Sequence, residues 1–275
     1  VLNKIQADCE NCFGLCCVAL PYVKSADFAL DKEGGTPCSN LQSDFRCKIH
    51  KNLRTEGYKG CTVYECFGAG QKVSQITYGG KNWREHPEIA EEMFKVFPVM
   101  QQIHEMLRYL YEAIKLEETC CIHDELQRLI DQLESLTNLE PQEILKLDIT
   151  VYRGDVSDLL SRTSELVRDK VNNKPPKQIN RYKIGRGCNL MGANLRQTDL
   201  KGANLRGALL IGANLKESDI RFANLLGADL RDADLSGANL AGSLFLTQAQ
   251  INSAKGNRET VLPSLLSMPE HWKGK

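Results

Sequence analysis

Cys188-Asn-Leu-Met-Gly-Ala193-Asn-Leu-Arg-Gln-Thr198-Asp-Leu-Lys-Gly-Ala203-Asn-Leu-Arg-Gly-Ala208-Leu-Leu-Ile-Gly-Ala213-Asn-Leu-Lys-Glu-Ser218 opens a five-residue period that runs without insertion or deletion to Thr247. Twelve consecutive pentads result, centred on Leu190, Leu195 and every fifth residue to Leu240 and Phe245. Two residues before each centre stands a small side chain, from Cys188 and Ala193 to Ala238 and Ser243. A helix returns to one face every 3.6 residues and a strand every two, so neither element turns both sets inward. A coil that turns a corner every five residues does. Four sides converging on a narrow axis leave room only for Ala, Ser, Thr or Cys at the small position. Stacked at the inter-strand spacing, twelve sides give three coils about 15 Å tall. The residue before the centre is Asn or Asp except at Leu209 and Leu244. Such a side chain bonds nearby backbone at a turn, which needs no catalytic role.

This pattern resembles the pentapeptide-repeat family, and the resemblance implies a right-handed quadrilateral β-helix over 188–247. Some members of that family bind DNA gyrase by imitating duplex DNA with a strongly acidic surface. Here Arg196, Lys201, Arg206, Lys216, Arg221 and Arg231 are matched by Asp199, Glu217, Asp219, Asp229, Asp232 and Asp234. A short, neutral column lacks the field that imitation of a phosphate backbone needs, so gyrase interaction ranks last among the functions weighed.

The remaining 215 or so residues divide by composition into a multidomain chain. Residues 1–82 hold eight of the eleven cysteines, residues 83–175 read as a small all-α module, residues 183–247 carry the repeat, and residues 248–275 form a cap and tail. Formal net charge is zero, which argues against direct nucleic-acid binding and a polybasic membrane surface. No apolar run approaches the length of a membrane span, and Val1-Leu2-Asn3 opens no visible secretory signal, so the expected location is cytoplasmic. A protein partner, with a homodimer as one form of it, fits this balance better than nucleic acid or membrane.

In a reducing compartment crowded cysteines read first as metal ligands. The spacing runs Cys9-x-x-Cys12-x-x-x-Cys16-Cys17, then Cys38, Cys47-x-x-His50, and Cys61 and Cys66. Cys9 with Cys12, and Cys47 with His50, have the spacing of short chelates. Nine ligands, Cys9, Cys12, Cys16, Cys17, Cys38, Cys47, His50, Cys61 and Cys66, suffice for two tetrahedral sites, or for one site and two disulfides. Zinc, one or two ions, is the default for closed thiolate sites; iron and iron–sulfur clusters use the same ligands. Structural disulfides and a reduced, reactive thiol cluster are the alternatives. The run from Cys9 to Cys17 followed by Cys38, Cys47, Cys61 and Cys66 is similar to the cysteine-cluster domains regarded as zinc- or iron-chelating, over roughly residues 8–70.

Asp44–Leu53 is expected to form one short helix that faces Cys47 and His50 the same way. Pro87 opens a helix through Phe97, and Pro98 begins a second with Ile103, Leu107, Leu110, Tyr111 and Ile114 on one stripe. Further helices follow over Ile122–Leu136, around Ile144–Val151, and from Val156 to Val171. His86, His104 and His123 read as structural, while Cys120 and Cys121 are either core cysteines or late additions to a site. Thr247 and Gln250 have the form of a capping box, Gly256 stops the short helix, and the tail with Leu262, Leu265, Leu266, Met268 and Trp272 is expected to cover the last coil. Tyr182 and Ile184, or the helical module, are expected to cover the first.

The sequence has no G-x-S-x-G, no Gly-rich phosphate loop and no H-E-x-x-H. A non-catalytic metal-binding scaffold or adaptor with a repeat interaction surface is therefore the leading expectation. Thiol- or metal-centred redox or metal handling, and a metalloenzyme with an open zinc or iron position, come next.

Overall fold

A computed structural model describes residues 5–171 and 177–274. The chain divides into two compact units, Val1–Leu160 and Ser161–Lys275, so the cysteine-rich segment and most of the helical segment share one unit. Its helices are α1 (Leu15–Ala19), α2 (Lys59–Thr62), α3 (Ala69–Gln71, widening into a π turn over Lys72–Thr77), α4 (Pro87–Ala113), α5 (His123–Leu136), α6 (Pro141–Ile144) and the first half of α7 (Ile149–Asp169). The second unit adds the antiparallel pair β1 (Gln178–Ile179) and β2 (Tyr182–Lys183), the repeat, and α8 (Gln248–Ser253).

Pro98 does not begin a new helix, because α4 runs through it for 27 residues. A proline inside a helix forfeits one backbone bond and costs about 3 kcal/mol. Met93, Val96, Phe97, Met100, Ile103, Leu107 and Leu110 are buried along one continuous face across it. Each contributes roughly 1.5–3 kcal/mol, so the stripe outweighs the proline. Its first half, Met93, Val96, Phe97 and Met100, packs on Leu15 and Val18 of α1 and on Val73, Trp83 and Ile144. The expected helix around Ile144–Val151 is split, with α6 closing at Ile144 under a capping box of Glu140 and Glu143 and α7 starting at Ile149. Asp44–Leu53 is not one helix either. Phe45 takes a left-handed φ of 64°, Gln42 N donates to Arg46 O, and Cys47 forms a bridge with Leu41, which leaves only a single turn at His50–Asn52.

In the second unit every centre from Leu190 to Leu240 is buried, as are the small positions between except the half-buried Thr198. Every fifth residue, from Gly187 and Gly192 through Gln197, Glu217, Phe222 and Asp232 to Gly242, has positive φ. These corners leave sides too short for a strand. Parallel bridges of one residue each therefore link positions 20 apart, such as Asn189 with Leu209, Asn194 with Asn214 and Asp219 with Asn239. The expectation of a right-handed quadrilateral β-helix of about three coils is corrected accordingly. Regular structure is mostly helical, the repeat contains no continuous strand, and the one sheet among the described residues is the pair β1 and β2. What the repeat builds is a ladder of isolated bridges.

The Asn and Asp positions do what their chemistry suggests. Asn189 Oδ1 accepts from Met191 N at 3.1 Å, Asp199 Oδ1 from Lys201 N at 3.0 Å, and Asp229 Oδ1 from Arg231 N at 3.1 Å. Outside, the balanced charges pair: Arg196 with Glu217 at 2.7 Å, Lys216 with Asp234 at 3.2 Å, Arg221 with Asp219 at 2.6 Å. Exposed pairs of this kind contribute about 0–1 kcal/mol each. At the far end Thr247 and Gln250 form the capping box of α8, and Lys255 and Val261 continue the ladder by bridging Asp234 and Asn239. Trp272 is fully buried, and Leu262, Leu266 and Met268 pack on the same core; Ile179, Tyr182, Ile184 and Cys188 also pack on it.

A cysteine-rich candidate site

Short elements place the eight N-terminal cysteines. Cys9 opens a single turn whose first N–H groups are capped by Asp8, with Glu10 N donating to Asp8 Oδ1 at 2.9 Å. Cys16 and Cys17 lie on α1, entered through Gly14 at φ 65°. Cys38 is tied back to α1 by its N–H, which donates to Cys17 O at 2.9 Å, and its sulfur accepts from the Tyr22 hydroxyl at 3.3 Å. Cys47 sits in the bridge with Leu41, and Cys61 lies on α2. Gly70 is required where it stands, since a Cβ there would come to 2.7 Å from Cys12 Sγ and 3.8 Å from Cys66 Sγ.

Lys32 organises this region, and nothing in the sequence around it signals that role. Its ammonium is buried and donates to the carbonyls of Val18 at 3.0 Å, Glu33 at 3.0 Å and Thr36 at 2.9 Å. All three N–H bonds are thereby used. Lys32 also forms an isolated antiparallel bridge with Tyr22, whose ring stacks on Phe28 at 4.4 Å.

The thiols influence one another. Desolvation of the sulfur atoms raises Cys9 and Cys47, and pushes Cys12 up to about 11 and Cys61 up to about 12; Cys9 and Cys61 as whole residues are exposed, so water screens the shift of their thiols. Neighbouring sulfurs add to it, Cys66 acting on Cys9 and Cys12, and Cys17 and Cys38 acting on Cys47 and Cys61. The vicinal pair behaves differently. Cys16 and Cys17 sulfurs are 4.0 Å apart, and a hydrogen bond from Cys16 holds Cys17 below the ordinary thiol range while Cys16 is driven up. The Lys32 ammonium acts on Cys17 in the same direction.

Among the described residues no group of three or more His, Cys, Asp or Glu side chains is arranged to hold an ion. The expected ligands Cys9, Cys12, Cys16, Cys17, Cys38, Cys47, His50, Cys61 and Cys66 form no such group, so the reading of this region as metal-binding is not borne out. The physical reason lies in the scatter of the ligands over separate turns, with Cys9, Cys61 and His50 exposed while Cys12 and Cys16 face the core. All eleven cysteines are free thiols, and Cys120 and Cys121 are exposed, apart from the core.

The histidines divide as well. His86 pairs with Glu88 at the surface, at 3.1 Å, and His123 opens α5. His104 is buried on α4 with Nδ1 2.8 Å from Phe67 O, which makes Nδ1–H the donor. Burial pushes its pKa down to about 4. Between pH 4 and the unfolded value near 6.5 the unfolded chain takes up a proton that the native chain refuses, so stability rises with pH through that window. Acidifying from pH 7 to pH 4 should therefore cost the first unit about 3 kcal/mol through this group. Urea unfolding of the native chain and of His104→Gln at both pH values measures it as the difference between the two pH dependences; parallel curves would remove His104 as the cause.

No described helix is long and apolar enough to cross a membrane. Comparison with known proteins locates the chain further. Residues 188–225 and 213–245 match the family described as pentapeptide repeats, in eight copies. An uncharacterized protein, YybG, of Bacillus subtilis (strain 168) is 58% identical over 270 residues, covering 98% of this chain and 95% of its own length. A pentapeptide repeat protein from the Arabidopsis thaliana thylakoid lumen, known from a crystal structure, is 26% identical over 30% of this chain and 66% of its own, just under two thirds; at a TM-score of 0.13 that likeness carries no argument. With a repeat segment flanked on both sides by sequence shared with the Bacillus protein, this chain belongs to the YybG family of pentapeptide-repeat-containing proteins.

Proposed function

We propose that the chain is a non-catalytic adaptor whose bridged repeat presents a fixed surface to a protein partner. A side-by-side apolar patch carries this reading. Leu190 N donates to Leu209 O at 2.8 Å and Gly192 N to Ile211 O at 2.9 Å, which sets Met191 beside Ile211 on neighbouring turns of the ladder. Met191 is 51% exposed and Leu209 39% exposed. Elsewhere along the repeat the outward residues are mainly charged pairs and amides, with Phe222, 37% exposed, as a single large apolar exception. The backbone of the patch is held on both sides by bridges, and a surface that does not reorganise loses little entropy on binding.

A photo-crosslinking residue at Met191 tests the reading in cells that express the full chain. A discrete adduct from position 191, absent from Gln197 on another side and lost in the double variant Leu209→Asp, Ile211→Asp, is the expected result. An adduct of twice the chain mass would identify the partner as a second copy. Equal, diffuse labelling from positions 191 and 197 would remove the patch as an interface.

Thiol chemistry is a second reading, favoured by the Cys16 and Cys17 pair beside the Lys32 ammonium. A thiol biased toward thiolate is the nucleophile of its neighbourhood. Timed alkylation with iodoacetamide should label Cys17 ahead of Cys12 and Cys61; uniform labelling would leave the cysteines with a packing role alone.

A further inference from the structure

Cys38, Cys17 and Cys16 all act electrostatically on the buried Lys32 ammonium, which its three carbonyls fix in place. Two of these thiols are also joined through the backbone, since Cys38 N donates to Cys17 O at 2.9 Å. With that bond made, standard bond lengths hold the two Cα atoms no more than about 6.8 Å apart, inside the span that a disulfide bridges. Both sulfurs act on the same two further neighbours, Cys47 and Cys61, so they face a common space. Cys16 Sγ lies 4.0 Å from Cys17 Sγ, but both residues belong to α1. A bond between them would close a small ring through one peptide and twist it from its trans plane, whereas Cys38 stands on a separate segment and imposes no such strain.

The surroundings of Cys38 fit the role of partner. Its sulfur accepts from the Tyr22 hydroxyl at 3.3 Å and from Asn40 N at 3.4 Å. Donors and a cation around a sulfur favour negative charge there, both as it attacks and as it leaves when a disulfide is reduced. Cys17 and Cys38 are half-buried. A hydroperoxide, little larger than water, reaches such a thiol more readily than the disulfide of another protein does.

We propose that Cys17 and Cys38 are a peroxide-oxidised pair that closes a reversible disulfide between α1 and the segment after Thr36. The inference rests on the thiol reading above and names its substrate class. The Cys17 sulfur attacks one oxygen of the hydroperoxide, the O–O bond breaks, and the departing oxygen leaves as water or alcohol with the thiol proton. Cys38 then attacks the sulfenic sulfur of Cys17; the S–S bond forms, and hydroxide leaves as water with the Cys38 proton. Two thiols are oxidised and one hydroperoxide is reduced. The bias of Cys17 toward thiolate supports its place as the attacking group.

One equivalent of hydrogen peroxide added to the reduced full chain, quenched with N-ethylmaleimide and read by peptide mass spectrometry, tests this. Two of the eleven thiols should escape alkylation, in a linked peptide that joins Cys17 to Cys38 and is released by dithiothreitol. Fragmentation between Cys16 and Cys17 assigns the link. In urea the same addition should spread over many pairs. Cys38→Ser should stop Cys17 at the sulfenic acid, captured by dimedone, and Cys17→Ser should slow peroxide consumption about tenfold or more. The wild-type map in buffer and in urea judges the proposal even where a variant does not fold. A native link at any other pair, Cys16 included, or the same distribution with and without urea, would overturn it. Fast iodoacetamide labelling of Cys17 without a Cys17–Cys38 link would sink this inference and leave the thiol reading standing, while uniform labelling would remove both.

Discussion

Replacing Trp272 by alanine is expected to lower the stability of the second unit by about 3–5 kcal/mol, the range for removing a large aromatic from a core. The indole is completely buried, and its Nε1 donates to Ala254 O at 3.1 Å. Gly256 lies flat against it, where an added Cβ would fall 2.5 Å from the ring. Position 272 lies far beyond the last pentad, yet its ring packs into the same core as Leu240, Leu246 and Ile251. Below it, Lys255 and Val261 supply the last bridges, to Asp234 and Asn239, so removing the ring unseats the segment that closes the ladder. An unclosed ladder exposes backbone N–H and C=O groups to edge pairing, and the variant should also self-associate more readily. Hydrogen exchange at Leu240 and Val261, followed with urea unfolding by far-UV circular dichroism, measures the loss. Trp83, the second tryptophan of the chain, lies in the first unit and reports through its fluorescence that this unit is unchanged. A loss under 1 kcal/mol would show that the tail does not close the ladder.

Lys32→Met should cost the first unit about 3 kcal/mol or more. Methionine keeps much of the aliphatic stem but leaves the carbonyls of Val18, Glu33 and Thr36 without their donor, each costing roughly 1–3 kcal/mol less whatever water recovers. Because Val18 belongs to α1 and Thr36 precedes Cys38, the loss loosens the two segments that hold Cys16, Cys17 and Cys38 together. Unfolding followed by Trp83 fluorescence in a Trp272→Phe background gives the energy, and faster alkylation of Cys38 gives the local consequence. Lys32→Arg tests the cause, since a guanidinium retains the charge but not the compact three-pronged geometry. Wild-type stability in Lys32→Met would mean that the three bonds are replaced by solvent at no cost.

Legibility in the sequence varied with the range of the interaction. The pentads were readable because their chemistry is local and repeats: a large residue inward, a small one two positions earlier, an Asn or Asp bonding the N–H two residues on. The same locality misled at the level of architecture. A five-residue side with a left-handed corner is too short to make a strand, so bridges replaced the regular sheet that the resemblance implied. Pro98 misled for the opposite reason, since its local cost is visible in sequence and the buried stripe that outweighs it is assembled from α1, α4 and α6. At the candidate site the cysteines were conspicuous by count and spacing, but spacing along a loop-rich segment does not fix direction. Lys32, on which the arrangement turns, is one lysine among many until its three carbonyls converge. Cys17 and Cys38 likewise meet through a backbone bond between segments that the sequence leaves apart, and His104 read as a structural residue because nothing nearby in sequence pairs with it.

By itself the sequence determined the periodic interior of the second unit, its neutral paired exterior, the capping box at Thr247 and the amphipathic faces of the long helices, all of which follow from contacts between residues a few positions apart. Tertiary structure alone decided that pentads four apart meet through single-residue bridges, that Met191, Leu209 and Ile211 share one exposed patch, that the crowded cysteines fall on separate turns, and that a buried lysine and a neutral histidine stand where they do. Those outcomes depend on which distant segments are brought together and which polar atoms they leave to be satisfied, and burial sets the cost of leaving any of them unpaired.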